Sequence, residues 1–207
     1  MTDEMDGKDL AERVRLIESM MAEGRHGTER WGWSFVLWGV AYLVATAWSS
    51  GLVGGPVWSQ RYLAWPLTMI AASIATGVVI SRMKKGQPAN TLGRAIGAAW
   101  AAMGISLFVV LMGLGLSGRY DLHVFVAIIG GMLGVANMTS AVILKWKMQF
   151  ACAVVWLGSA VVACFVTENQ AGIVFLVATF FCQIVFGIYA IICESRRRKL
   201  QNGVVNA

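Results

Sequence analysis

The chain has 207 residues, of which 57% are hydrophobic and only 14% are charged, and its formal net charge is +6. Soluble domains carry about 25% charged residues, so this composition argues against an ordinary soluble fold and predicts a membrane protein. The length allows one helical bundle and leaves no room for a large soluble domain.

The first 30 residues form a polar segment that is predicted to contain an amphipathic cytoplasmic helix, from residue 9 to residue 23. Its apolar face consists of Leu10, Val14, Ile17 and Met21, which recur at helical spacing. Gly24 is expected to end this helix, and Thr28 to cap the next one. One interpretation places the apolar face on the membrane or against the bundle. The other makes it a docking face for a partner or a second copy.

Six apolar runs of about 20 residues follow, each long enough to cross about 30 Å of hydrocarbon. They span residues 31–53, 62–81, 96–116, 122–144, 150–166 and 172–193. The predicted fold is therefore all-α, with six transmembrane helices in a bundle over residues 31–193. A basic tail over residues 194–207 follows this bundle.

The placement of positive charge predicts how the bundle is oriented. Fifteen of the 17 lysines and arginines lie before the first run, after the last run, or in the second and fourth gaps. Only Arg61 and Arg119 lie in the other gaps. Short loops rich in Lys and Arg stay in the cytoplasm. Both termini are thus expected in the cytoplasm, and nucleic acid is not an expected partner.

The central parts of the predicted spans contain no Asp, Glu, Lys, Arg or His. Proton relays and ion paths generally use such residues, so proton-coupled transport through the membrane is disfavoured. No cofactor or metal site is expected, because nucleotide-binding and zinc-binding motifs are lacking. The polar residues at the outer ends, such as Asp121, His123 and Glu168, are too sparse to indicate a site. The four cysteines are interpreted as buried apolar residues, although Cys152 and Cys193 could meet as a redox or metal pair.

Neutral polar residues inside the spans are the main candidates for a site. Asn137 and Gln183 lie within the fourth and sixth runs, Thr139 adds a hydroxyl, and Gly130 and Gly134 share a face with Asn137. Glycines spaced by four residues permit close helix packing, and Asn137 could then form a hydrogen bond across the interface. Alternatively, Asn137 and Gln183 could line a cavity for a neutral or lipophilic molecule. A third interpretation is an oligomer interface, and residues 97–104 carry a similar small-residue stripe.

The chain contains four short apolar or amphipathic segments, LIESM at residues 16–20, FVLWG at 35–39, YLAWP at 62–66 and WLG at 156–158. With these segments it resembles a group of six-span bacterial inner-membrane proteins that has no assigned activity. The resemblance implies an integral protein of a bacterial inner membrane. It supplies no activity, cofactor or site residue.

Two functions are consistent with these patterns. A non-catalytic scaffold or regulatory subunit would use the N-terminal helix and the small-residue faces to hold a membrane protein partner or a second copy. A carrier or channel for a small neutral or lipophilic solute would use Asn137 and Gln183. Residues 76–84 also line up with 139–147; one interpretation is a duplicated hairpin, which occurs in carriers but is also a way to build a bundle. Membrane lipids are expected partners in either case.

Overall fold

A computed structural model of the chain describes residues 2–52, 63–82, 91–118 and 121–205. These residues form helices joined by turns. The helices are α1 (Thr2–Arg30), α2 (Gly32–Ser49), α3 (Ala64–Arg82), α4 (Thr91–Leu116), α5 (Leu122–Leu144), α6 (Lys147–Ala163), α7 (Glu168–Thr179) and α8 (Phe186–Val205). A π-helical segment, Phe180–Val185, joins α7 to α8 without a break.

Four of the described helices are long and apolar enough to cross a membrane, and they place the protein in association with one. They are Ala64–Arg82, Leu92–Leu116, Leu122–Leu144 and the continuous helix Glu168–Leu200. The other two predicted spans are also helices, α2 with 18 residues and α6 with 17. Seventeen residues at about 1.5 Å each fall a little short of the hydrocarbon thickness.

The core lies between α5, α6 and the continuous helix formed by α7, the π segment and α8. In the most apolar stretch of α5, 50% of the residues are buried, whereas only 11% are buried in the corresponding stretches of α3 and α4. Aromatic rings join this core to α2 and α3. The Trp65 and Phe125 rings lie 4.5 Å apart, and Phe175 lies 6.0 Å from both Trp65 and Tyr42. α3 and α4 are therefore peripheral helices of the bundle.

One end of the bundle, here called the basic end, contains the beginnings of α2 and α4, the end of α5 and the basic part of α8. Phe35 of α2 makes edge contacts there with Trp100 of α4 and Phe186 of α8, at 5.4 and 5.1 Å. Gly32 and Gly187 let α2 and α8 approach closely, because a Cβ at Gly187 would lie 2.9 Å from the Gly32 carbonyl oxygen. These contacts hold the beginning of α2 against α4 and α8.

The prediction that Gly24 ends the first helix is wrong. α1 continues through Gly24 to Arg30 as one helix of 29 residues. Gly24 is buried, and a Cβ there would lie 2.7 Å from Leu144 Cδ2. The glycine thus provides room for packing against α5 instead of terminating the helix. Tertiary packing here outweighs the low helix propensity of glycine, which makes a helical glycine about 1 kcal/mol less favourable than an alanine.

Candidate functional site

Asn137 and Gln183 are both buried in the core, with 1% and 2% of their surfaces exposed. Asn137 Nδ2 donates to the Leu133 carbonyl oxygen of its own helix, at 2.8 Å. The predicted hydrogen bond from Asn137 across the helix interface is therefore not the one that forms. Asn137 Oδ1 and Gln183 Oε1 are buried and have no hydrogen-bond partner among the described residues. Thr139 is exposed, so it lies away from these two side chains.

Ser140 makes the hydrogen bond between helices that the sequence analysis assigned to Asn137. Trp100 Nε1 of α4 donates to Ser140 Oγ at 3.0 Å, and Ser140 Oγ donates to the Ala136 carbonyl oxygen. Ser140 is one helical turn from Asn137, and Trp100 donates its hydrogen bond to Ser140 and not to Asn137. The sequence gives no signal that would select one over the other.

The α6 and α7 sides of the core add further buried polar atoms without partners among the described residues. They are Gln149 Oε1 and Nε2, Trp156 Nε1 and Thr179 Oγ1. The rings of Trp156 and Phe175 lie 6.2 Å apart, and Cys182 Sγ lies 3.6 Å from the Cys152 carbonyl oxygen. These two contacts align α6 antiparallel to the last helix. The unpaired atoms lie on helices that pack against one another, and a water molecule or a small polar ligand would stabilise them.

Gly130 and Gly134 allow α5 and α6 to approach closely. A Cβ at Gly130 would lie 2.9 Å from the Trp156 carbonyl oxygen, and a Cβ at Gly134 would lie 2.6 Å from Leu157 side-chain atoms. Helices that approach this closely gain dispersion contacts along their backbones. The geometry is the close packing that the glycine spacing predicts.

The small-residue stripe on α4 has a different environment. Gly97 and Gly104 are exposed, and a Cβ at either position would have nothing within 4 Å. Ala101 between them is also exposed. Helix α4 therefore presents a flat face of small residues, hereafter the α4 face (Gly97, Ala101, Gly104), which is open in the described part of the chain.

The predicted docking face of α1 is largely exposed. Leu10, Val14 and Ile17 have 64%, 47% and 56% of their surfaces exposed, and Met21 is half-buried. The second half of α1 packs on the basic end of the bundle, where Arg197 Nη2 lies 3.1 Å from Glu29 Oε2. Arg197 and Arg198 also pair with Glu194 within α8. The apolar face thus projects from a helix that is anchored at its other end.

The cysteine that lies against Cys152 is Cys182, not Cys193. Cys182 is eleven residues earlier in the same helix, which is about 16 Å along its axis. Cys152 and Cys182 form the floor of an apolar groove of about 230 Å³ between α6 and the π segment. Phe181, Val185 and Tyr189 line its sides. Sequence periodicity missed this groove, because the π segment changes which residues of the last helix share a face.

At the opposite end, Asp121 and His123 organise the start of α5. Asp121 caps the helix by accepting from the His123 backbone amide at 2.7 Å, and His123 Nδ1 and Nε2 lie 3.0 Å from Asp121 Oδ1 and the Val166 carbonyl oxygen. The His123 amide, and then its side chain, lower the pKa of the Asp121 carboxyl from its ordinary value. Arg61 and Arg119 lie outside the described residues. The described residues contain no cluster of three or more His, Cys, Asp or Glu that could hold a metal ion.

No family model matches this chain, and neither a curated protein nor a solved structure matches it.

Proposed function

We propose that this chain is an integral protein of a bacterial inner membrane with six spans and with both termini in the cytoplasm. Four apolar helices of sufficient length support this placement, and α2 and α6 pack among them as helices of 18 and 17 residues. Cytoplasmic termini agree with the concentration of Lys and Arg at one end of the bundle.

Within that membrane, the chain acts as a non-catalytic scaffold or regulatory subunit that holds another membrane helix on its α4 face. The observation that carries this proposal is a contrast between two small-residue stripes of the same chain. The stripe on α5 is covered by α6 at backbone contact distance, whereas the α4 face is open. In lipid, helices associate through such stripes, since packing replaces the hydrophobic effect as the driving force.

The burial of α4 supports the same proposal. Only 11% of the residues in its most apolar stretch are buried. Large apolar side chains next to the stripe, such as Ile105 and Phe108, are 66% and 48% exposed. A smooth groove of small residues between larger side chains is complementary in shape to a second transmembrane helix. That helix belongs to a second copy or to a different membrane protein.

Leucine substitutions on α4 test this function. Gly97→Leu and Gly104→Leu should abolish the dimer, or the co-purified partner, without lowering the thermal stability of the monomer. Gly113→Leu is the matched control, because Gly113 also has open space around it but lies about 180° away around the helix. Cross-linking in native membranes, followed by mass measurement of the purified complex, distinguishes the variants. If all three variants assemble like the native chain, the α4 face is not the contact and the proposal fails.

A carrier for a small neutral solute is the second candidate, and the buried unpaired polar atoms favour it. Asn137 on α5, Thr179 on α7 and Gln183 on the π segment carry such atoms. A polar ligand between these helices would supply the missing hydrogen bonds. Native mass spectrometry of the purified protein should then show a retained small molecule that Gln183→Leu releases. A protein of unmodified mass, with a Gln183→Leu variant of higher thermal stability, would rule out this candidate.

A further inference from the structure

Helix α1 crosses the basic end of the bundle instead of continuing in line with another helix. Glu29 contacts Arg197 of α8, and five residues earlier Gly24 lies against Leu144, which ends α5. Leu92, next to the start of α4, is also within 3.4 Å of a Cβ placed on Gly24. Between Glu29 and Gly24, over about 7.5 Å of its length, α1 therefore passes from the end of α8 to the ends of α4 and α5. The helix thus runs across the ends of these helices.

The residues before Met20 extend beyond the bundle. Residues 12–19 are all exposed, whereas Met20 and Met21 are half-buried and Gly24 is buried. Since α1 is one continuous helix, its first half projects sideways in the same direction. At about 1.5 Å per residue, Leu10 lies about 21 Å beyond Gly24.

The apolar face of this projecting half points toward the same side as Gly24. With about 100° between successive residues, Leu10 and Ile17 lie within about 40° of the Gly24 direction, and Val14 lies within about 80°. Glu12 and Glu18 lie about 120° away on either side. Because Gly24 faces Leu144 and Leu92, the apolar half of α1 faces the level at which the membrane helices end.

We infer that the N-terminal half of α1 lies in the headgroup region of the inner leaflet, with Leu10, Val14 and Ile17 inserted into lipid. The inference rests on the proposed membrane placement and assigns the predicted docking face to a lipid surface. A second copy or a protein partner would have to enter between α1 and the membrane to reach the same side chains.

The charges around this face fit an interface with anionic lipid. Arg13 lies about 20° from the Gly24 direction, among the apolar residues. Arginine in such a position keeps its aliphatic stem in the apolar layer while its guanidinium reaches a phosphate. The acidic residues Glu12 and Glu18 are turned toward water, where they meet no repulsion from the lipid phosphates.

Site-specific fluorescence in nanodiscs tests this placement in the full chain. An environment-sensitive fluorescent amino acid replaces Ile17 in one variant and Arg15 in a second variant. Arg15 lies about 180° around the helix from Gly24. In discs containing phosphatidylglycerol, the probe at position 17 should be quenched at least twofold more by brominated lipid than the probe at position 15. Aqueous iodide should quench the probe at position 15 more strongly than the probe at position 17. Leu10→Glu should abolish the lipid quenching at position 17.

A third probe separates this inference from the placement on which it rests. Val110 of α4 is exposed and lies within a predicted span, so a probe there must be quenched by brominated lipid if the bundle is in the membrane. Quenching at 110 but iodide access at 17 would overturn the inference alone. Protection at 17 from both quenchers would overturn it in favour of a protein partner. Iodide access at 110 would overturn the membrane placement itself.

Discussion

Glycine has opposite roles at neighbouring positions of this chain. Gly130 and Gly134 face α6 at contact distance, while Gly131 and four glycines of α4 face open space, namely Gly97, Gly104, Gly113 and Gly115. The spacing of glycines predicts that a close contact is available, but it does not reveal which stripe another helix covers. That choice depends on which helices are neighbours, and composition alone carries no information about it.

The contrast between Gly130 and Gly131 gives a direct prediction. Gly130→Ala should lower the free energy of unfolding in detergent by about 1–3 kcal/mol, because its methyl group would lie 2.9 Å from the Trp156 carbonyl oxygen. Gly131→Ala should be neutral or raise it by up to about 1 kcal/mol, since alanine favours the helix and nothing lies within 4 Å. Thermal unfolding of both variants in one detergent checks this. Equal effects would contradict the described packing of α5 on α6.

Gln149 is fully buried, and both polar atoms of its amide are without partners among the described residues. A buried polar group without a hydrogen bond costs about 1–3 kcal/mol. Gln149→Met keeps the approximate volume and removes that cost, so the variant should unfold at a higher temperature. Ser140→Ala serves as the opposite control, because it removes the acceptor of the Trp100 hydrogen bond and should destabilise the protein by about 0.6 kcal/mol. A lower unfolding temperature for Gln149→Met would indicate that an ordered water or ligand satisfies the amide.

At the scale of whole elements, apolar run length located the helices well. Four of the six predicted runs coincide with helices of sufficient length to span, and the other two are shorter helices in the expected places. The π segment and the extent of α1 were not predicted. Both depend on contacts with distant residues, such as Gln183 beside Gly39 and Leu144 beside Gly24, which a local pattern cannot encode.

Arg197 of α8 forms a salt bridge with Glu29 that helps to anchor α1. Arg197→Gln should loosen α1, because Glu29 is largely buried and would lose a charged partner. Amide hydrogen exchange over residues 20–30 should then become faster. Arg198→Gln is the matched control, since its pair with Glu194 is 63% exposed on the arginine side and contributes only about 0.3–0.5 kcal/mol. Unchanged exchange in Arg197→Gln would show that Gly24 packing alone holds α1.

At the scale of the molecule, the bundle is asymmetric. A well-packed core of α5, α6 and the last helix carries most of the buried polar groups, and α3 and α4 stand at its edge. The sequence predicts an apolar helical bundle because hydrophobicity is a sum over residues. It does not predict which helices are central, because the spans are similarly apolar and differ mainly in which face meets a neighbour.

The orientation proposed for this bundle rests on the cost of moving cations through hydrocarbon, which is about 2.5–3.5 kcal/mol for a Lys or Arg at the centre of a span. Inverting the chain would require 15 basic residues to cross instead of two. Fusions of green fluorescent protein at Gln87 and after Asn202 should therefore fluoresce, and alkaline phosphatase at these positions should be inactive. Phosphatase fused at Gly55 or Gly118, in the gaps with few cations, should be active. If the phosphatase is active at Gln87 and inactive at Gly118, the bundle has the opposite orientation. The apolar side of α1 would then face the outer leaflet, and its arginines would no longer meet cytoplasmic anionic lipid.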